Sequence, residues 1–242
     1  MVVEWVQSGE AESASEEVRK RALYTWARHE PKTAAKFLLN HQDWIEDDGV
    51  AANFAGYFVL NDPEATVHWA NQLERHDCKT APFKNAIRAW SKTAPDKVLE
   101  YGGTVDDESE QLHIYRSLIS TLMNEDPEAA RDMLDRIPDS HRVQATQSGI
   151  SQLAHISPME AVEEIKRRPE AFAGSESAVA TKIMTSIAEA WARSDPQSTL
   201  DWAMKLEDLS QKTAAVSAAI EQWTRVDALG ASSYVNGVAL LA

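Results

Sequence analysis

Residues 62–95 read DPEATVHWANQLERHDCKTAPFKNAIRAWSKTAP, and they contain one complete structural repeat. The stretch opens on Asp62-Pro63 and ends on Pro95, which lies 32 positions after Pro63. Asp is a favoured helix N-cap because its carboxylate accepts a hydrogen bond from a free backbone N–H of the first turn. Pro is favoured at the first helical position because its missing N–H would have had no partner there. The motif predicts a helix that begins at Pro63 and an earlier helix that ends just before it.

The same anchor returns along the whole chain. Successive steps of 32, 32, 32, 31, 38 and 32 residues connect Pro31, Pro63, Pro95, Pro127, Pro158, Pro196 and finally Ala228. The residue before the anchor is usually acidic, as in Glu30, Asp62, Asp126, Asp195 and Asp227. An internal period of this length is typical of helical solenoids.

Two apolar stripes accompany each anchor. The positions three, four, six and seven after it hold sets such as Ala34, Ala35, Phe37 and Leu38. The positions nine, eight and five before it hold Ala22, Leu23, Trp26; Phe54, Ala55, Phe58; Ala86, Ile87, Trp90; Leu118, Ile119, Leu122; Gly149, Ile150, Leu153; Ile187, Ala188, Trp191; and Ala219, Ile220, Trp223. These spacings place each set on one helix face, which a single helix pair could not bury alone. The sequence therefore predicts an all-α array of about seven stacked two-helix repeats spanning residues 1–242.

Composition excludes several classes of protein. The chain of 242 residues is 43% hydrophobic and 26% charged, as expected of a folded domain, and no run approaches the length of a membrane span. The formal net charge of −14 disfavours a nucleic-acid partner. Recognised catalytic and cofactor motifs are absent, so we expect no catalysis, no cofactor and no metal. His68, His76 and Cys78 match no zinc spacing, and His76 and Cys78 are expected in a loop.

Several segments depart from the repeat. An extended loop is expected at residues 167–177, where six extra residues fall. The off-register Trp44 is expected either to cap the core or to anchor a partner, and the pairs Asp47-Asp48 and Asp106-Asp107 are interpreted as solvated loop residues. Both ends are apolar and abrupt: Val2, Val3, Trp5 and Val6 occupy stripe positions of a preceding anchor, and Val238 is still in register. We therefore expect a fragment of a longer protein that could self-associate end to end.

The plan resembles tetratricopeptide-like helical repeats. With the anchor proline aligned to the proline that ends the family's repeat, its first-helix aromatic position is occupied by Phe37, Trp69, Tyr101, Trp202 and Tyr234. The likeness is one of architecture, because the period is 32 rather than 34 and the family's Leu-Gly pair is missing. The resemblance implies an α-α superhelix, an open right-handed solenoid with a concave groove for a peptide or partner helix.

A polar stripe on the face opposite the core is the candidate binding surface. It lies ten, seven and three residues before each anchor, and its candidate members are Arg21, Tyr24, Arg28, Asn85, Arg88, Lys92, Asn124, His155, Arg193 and Arg225. These donors suit an acidic peptide, although cations in a last helical turn are also favoured by the helix dipole. A rival, acidic surface follows the anchors at Glu64, Asp96, Glu100, Glu128, Asp132, Glu160, Glu163 and Asp201, and it would require a basic partner.

These observations favour a protein–protein interaction scaffold that binds a peptide or partner helix along a groove. The alternative is the superhelical accessory region of a larger enzyme, for example a cell-wall lyase, whose catalytic domain lies outside this chain. A nucleic-acid-binding array is the third hypothesis.

Overall fold

The computed structural model describes residues 2–7, 14–172 and 178–239, and in those residues every regular element is a helix. The α-helices are α1 (Val2–Gln7), α2 (Glu16–His29), α3 (Pro31–Asn40), α4 (Asp48–Phe58), α5 (Pro63–Asn71), α6 (His76–Thr93), α7 (Pro95–Thr104), α8 (Glu108–Glu125), α9 (Pro127–Arg136), α10 (Asp139–Ile156), α11 (Pro158–Arg167), α12 (Ala178–Trp191), α13 (Pro196–Ala203), α14 (Leu209–Val226) and α15 (Ala228–Ala239). The predicted all-α fold is confirmed.

Each of the six anchor prolines is the first residue of a helix, and Ala228 also begins one. We call the helices that start at these positions (α3, α5, α7, α9, α11, α13 and α15) anchor helices, and the even-numbered helices α2 to α14 pre-anchor helices. The aspartates before the anchors cap them as predicted: the carboxylates of Asp62, Asp126, Asp195 and Asp227 accept backbone N–H groups at 2.9–3.1 Å. Glu30 does not cap α3, because its longer side chain turns to accept from the hydroxyl of Thr33.

A second set of helix N-caps was not predicted from the sequence. Asp47, Asp107 and Asp208 accept the N–H groups of Val50, Glu110 and Gln211 at 2.7–2.8 Å, and they begin the pre-anchor helices α4, α8 and α14. Asp47 and Asp107 are exposed and lie outside the helices, as interpreted, and they also act as N-caps; the interpretation was wrong for Asp48, which is the first residue of α4. The hydrogen bond from Val50 lowers the pKa of Asp47, as expected for a carboxylate at a helix N-terminus.

The helices form two compact units, Met1–Tyr101 and Gly102–Ala242. In the first unit α2 packs on α4 and α4 on α6, while α3 and α5 pack against these pre-anchor helices. In the second unit α8, α10, α12 and α14 pack successively on one another, and α9, α11, α13 and α15 lie against them. Within each unit, then, the repeat pairs stack as the period predicted, with the pre-anchor helices forming a continuous layer.

The predicted stripes form the core of both units. Nearly all side chains at the three pre-anchor core positions are buried, and the half-buried ones are Ala22, Trp191 and Ile220. Rings pair across the turn before four of the anchors. Their centroids are 5.3 Å apart for Trp26 and Phe37, 5.6 Å for Trp90 and Tyr101, 6.1 Å for Trp191 and Trp202, and 5.2 Å for Trp223 and Tyr234. The recurring aromatic residues are thus core residues.

Gly149 explains the close packing of α8 and α10. A methyl group placed at its Cα would come within 2.8 Å of Cγ2 of Ile119 and 3.2 Å of Cε of Met123, both on α8. Any larger residue at this position would push the two helices apart.

The irregular segments are more ordered than the sequence suggested. Trp44 lies in a short 3-10 helix, is buried, and meets Phe37 edge to face with centroids 5.1 Å apart, so it caps the core. His76 and Cys78 form the first turn of α6, not a loop. In the extended segment, α11 ends at Arg167 and a 3-10 helix follows at Pro169–Ala171. Residues 173–177 lie outside the described residues, as do the side chains of Val2, Val3 and Val238.

Candidate binding surfaces

The polar stripe forms a groove in the second unit. The groove has a volume of about 550 Å³ and runs over α10, between α8 and the first half of α12. Its walls are made by Arg116, Ser120, Gln144, Gln147, Ser148, Ser151, Gln152, His155, Ala178, Val179, Lys182 and Ile183. We call it the donor groove.

Hydrogen-bond donors dominate the donor groove. The guanidinium of Arg116 is exposed and donates through Nε to Oγ of Ser148 at 2.7 Å, which fixes it across the gap between α8 and α10. Lys182 of α12 and His155 of α10 are exposed as well and also line the groove. Among the described residues, the lining contains no carboxylate, although the chain as a whole carries a charge of −14. The local field of the groove therefore favours an anionic or strongly polar ligand.

The helical period of α10 places the groove on the face opposite the core. Ser148, Ser151 and His155 lie ten, seven and three residues before Pro158, whereas Ile150 and Leu153 point into the core. The sequence predicted this division correctly. It missed Arg116 and Lys182, which lie one and four residues closer to the helix N-termini than the first stripe positions of α8 and α12.

The candidate residues of the first unit lie along α2 and α6. Tyr24 packs near Tyr57 with ring centroids 6.2 Å apart, and the Arg28 guanidinium lies 5.4 Å from the Tyr57 ring centroid. Arg21 lies exposed on the same helix. The remaining candidates of this unit are exposed along α6, and they are Asn85, Arg88 and Lys92. Tyr57, which the sequence did not single out, therefore organises the cluster on α2.

Three further candidates lie outside the donor groove in the second unit. Asn124 donates to the neighbouring Glu125 at 3.4 Å, and Arg225 pairs with Glu221 at 2.5 Å one helical turn away. Arg193 is exposed after the end of α12. Of the ten candidate residues, His155 is the one that lines the groove.

A second groove lies on the anchor-helix side of the same unit. It has a volume of about 680 Å³ between α11 and α13, and its floor contains the paired rings of Trp191 and Trp202. Residues of the predicted acidic surface stand along its edges, namely Glu160, Glu163 and Asp201. We call it the tryptophan groove.

A buried carboxylate links α11 to α9. Glu164 has a side chain only 3% exposed, and it occupies the position six residues after the anchor that is aromatic in most repeats. Nε and Nη2 of Arg131 donate to its Oε1 at 2.8 and 2.5 Å, and Arg167 donates to the same atom. The break in the aromatic series at Glu164 was visible in the sequence and was overlooked.

Comparison with protein-family models, curated proteins and solved structures gives no match to this chain. The tetratricopeptide-like resemblance accordingly stays a prediction. The described residues contain no cluster of His, Cys, Asp and Glu suited to a metal ion, and the buried Cys78 has a thiol whose pKa is raised by desolvation. None of the described helices combines the length and hydropathy needed to cross a bilayer.

Proposed function

We propose that this chain is a helical-repeat scaffold of tetratricopeptide-like plan that binds an acidic peptide segment along the donor groove. The observation that carries the proposal is the composition of the groove, in which Arg116, Lys182 and His155 stand among serines and glutamines with no carboxylate in the described lining. A carboxylate that accepts from a guanidinium and a lysine forms charge-assisted hydrogen bonds, which are stronger than neutral ones.

Shape also supports a peptide as the ligand. The groove is a shallow trough of about 550 Å³ across three helices. Its walls offer amide and hydroxyl groups from Gln144, Gln152 and Ser151 at a spacing set by helical turns. Such a ladder of side-chain donors and acceptors can bind the backbone of an extended peptide, while the cations bind its acidic side chains.

Fluorescence anisotropy with three labelled synthetic peptides of equal length, one acidic, one neutral and one basic, tests the proposal. We expect the acidic peptide to bind, and we expect added salt to weaken the complex because the contacts are ionic. Reversing two charges, Arg116→Glu with Lys182→Glu, should weaken binding by about tenfold or more. Equal binding of all three peptides would contradict the proposal.

A matched control separates a local effect from the change in net charge. Lys36 and Lys84 are exposed on α3 and α6, outside the groove. The double variant Lys36→Glu, Lys84→Glu changes the total charge by the same amount, so it should leave acidic-peptide affinity within about twofold of the wild type. If the control weakens binding as much as the groove variant does, the ligand responds to total charge and the groove is not its site.

A further inference from the structure

The geometry points to a second binding site, the tryptophan groove, which takes an arginine side chain of a basic peptide. This site lies on the anchor-helix side of the second unit, and its charge is opposite to that of the donor groove. Three independent features support it: a half-buried pair of indole rings, an acidic edge, and a break in the repeat at this place.

The first feature is the exposure of Trp191. The position five residues before the anchor is buried in six of the seven repeats, at Trp26, Phe58, Trp90, Leu122, Leu153 and Trp223. Trp191 alone in this series is half-buried, and its partner Trp202 is half-buried as well. Their centroids are 6.1 Å apart with the rings inclined at 45°, so the two indoles form a corner that opens into the groove.

The second feature is the charge along the edge. Glu160 and Asp201 are exposed on α11 and α13 and face the groove from opposite sides. Glu163 also lines the groove and pairs with Lys166 at 2.7 Å, and Lys205 is the second cation of the lining, so three carboxylates face two lysines. A guanidinium is planar, stacks on indole faces and donates hydrogen bonds to carboxylates in its plane, so it can contact the rings and the acidic edge at the same time. An anionic side chain would be repelled both by the carboxylates and by the negative faces of the rings.

The third feature is the interruption of the repeat around the groove. The step between Pro158 and Pro196 is 38 residues, the longest in the chain. On α11, the ring position is occupied by Glu164, which is held by Arg131 of α9. No aromatic residue therefore projects from α11 toward α13 at this level. Met159, which is 61% exposed, and Leu206 add apolar walls for the methylene groups of the arginine.

The test uses isothermal titration of the full chain with four synthetic ten-residue peptides. They are identical except for one central residue, which is Arg, Lys, citrulline or Glu, flanked by leucines. We expect the order Arg, then Lys, then citrulline. The Glu peptide should not bind once the donor groove, its site under the proposed function, is blocked by the double variant Arg116→Glu, Lys182→Glu. Citrulline keeps the planar shape but loses the charge, so equal affinity of the Arg and citrulline peptides would overturn the proposal. Failure of the Arg peptide to bind at millimolar concentration would also overturn it.

Isosteric variants locate the site. Glu160→Gln and Asp201→Asn should each weaken the Arg peptide by about three- to tenfold, because each removes one carboxylate from the edge. Asp132→Asn, an exposed acid of α9 outside the groove, is the matched control and should leave affinity unchanged. Lys205→Gln removes a cation from the groove and should strengthen binding. Equal affinities across all these variants would refute the assignment without relying on any tryptophan substitution that could unfold the repeat.

Discussion

Loss of Arg131 should destabilise the second unit more than loss of the carboxylate that it binds. Glu164 is 3% exposed, so Arg131→Ala leaves a buried charge without its two principal donors. Breaking a fully buried pair costs roughly 3–5 kcal/mol. Arg131 is 34% exposed and Arg167 still donates to Glu164, so the expected cost falls to about 1–3 kcal/mol.

The reciprocal change should be tolerated. Glu164→Met introduces the residue found at the equivalent position of the preceding repeat, Met133, and it removes the buried charge. Arg131 can then turn into solvent, so we expect a change within about 1 kcal/mol of the wild type in either direction. The double variant Arg131→Ala, Glu164→Met should be less destabilised than Arg131→Ala alone, because no buried carboxylate remains without donors.

Urea unfolding followed by circular dichroism measures all four corners of this double-mutant cycle. Lys166→Ala, which removes an exposed pair with Glu163, is the control and should cost less than about 0.5 kcal/mol. The reasoning would be refuted if Glu164→Met destabilised the protein more than Arg131→Ala. That result would mean that the ion pair stabilises the fold better than an apolar residue of similar size.

Four further predictions concern the repeat itself. Gly149→Ala should destabilise the protein by about 1–3 kcal/mol in urea unfolding, because the new methyl group would lie 2.8 Å from Ile119. Gly56→Ala has no atom within 4 Å of the new methyl group and should stabilise by roughly 0.5–1 kcal/mol. Equal effects of the two variants would contradict the packing of α8 on α10. Trp90→Ala should cost about 3–5 kcal/mol, and a negligible shift in thermal unfolding would contradict its burial. Asp62→Ala should cost about 1 kcal/mol at pH 7. Lys32 and the N–H of Ala65 lower the pKa of Asp62, so the stability that its carboxylate contributes is present at neutral pH and is lost as the pH falls below about 4. Asp62→Asn should therefore make the urea midpoint less sensitive to acid. The triple change of Arg88, Lys92 and Arg193 to Ala should leave the melting temperature nearly unchanged because all three are exposed, and a large drop would mean that they support the fold.

The sequence was a reliable guide wherever one residue type has one dominant physical role. Proline marks the start of six of the seven anchor helices, since its missing N–H would have had no partner in the first helical turn. The ring positions were equally predictable, because a bulky apolar side chain repeated at a constant period must face its neighbours. Asp47, Asp107 and Asp208 were not recognised as caps, because no proline follows them and their spacing is not constant: Asp107 and Asp208 lie 20 residues before an anchor, but Asp47 lies 16 before.

The grooves could not have been predicted in the same way. Each one depends on which side chains of three different helices come to lie together, and the sequence gives only the face of each helix. Arg116 and Lys182 are separated by 66 positions, and their relation depends on how closely α8, α10 and α12 stack. That stacking depends in turn on Gly149, a residue that sequence periodicity counted as one more core position.

The two cations missed by the sequence also help to decide between the binding interpretation and its structural alternative. The helix dipole favours cations in the last turn of a helix, and it accounts for Arg28, Lys92, His155 and Arg225 whether or not they bind anything. It does not account for Arg116, in the middle of α8, or for Lys182, which is near the N-terminus of α12, where a cation gains nothing from the dipole. Lys182→Gln should therefore leave the urea midpoint unchanged while weakening the acidic peptide, and His155→Gln should lower both. If Lys182→Gln lowered stability and left peptide affinity unchanged, Lys182 would have a structural role and the donor groove would not be the peptide-binding site.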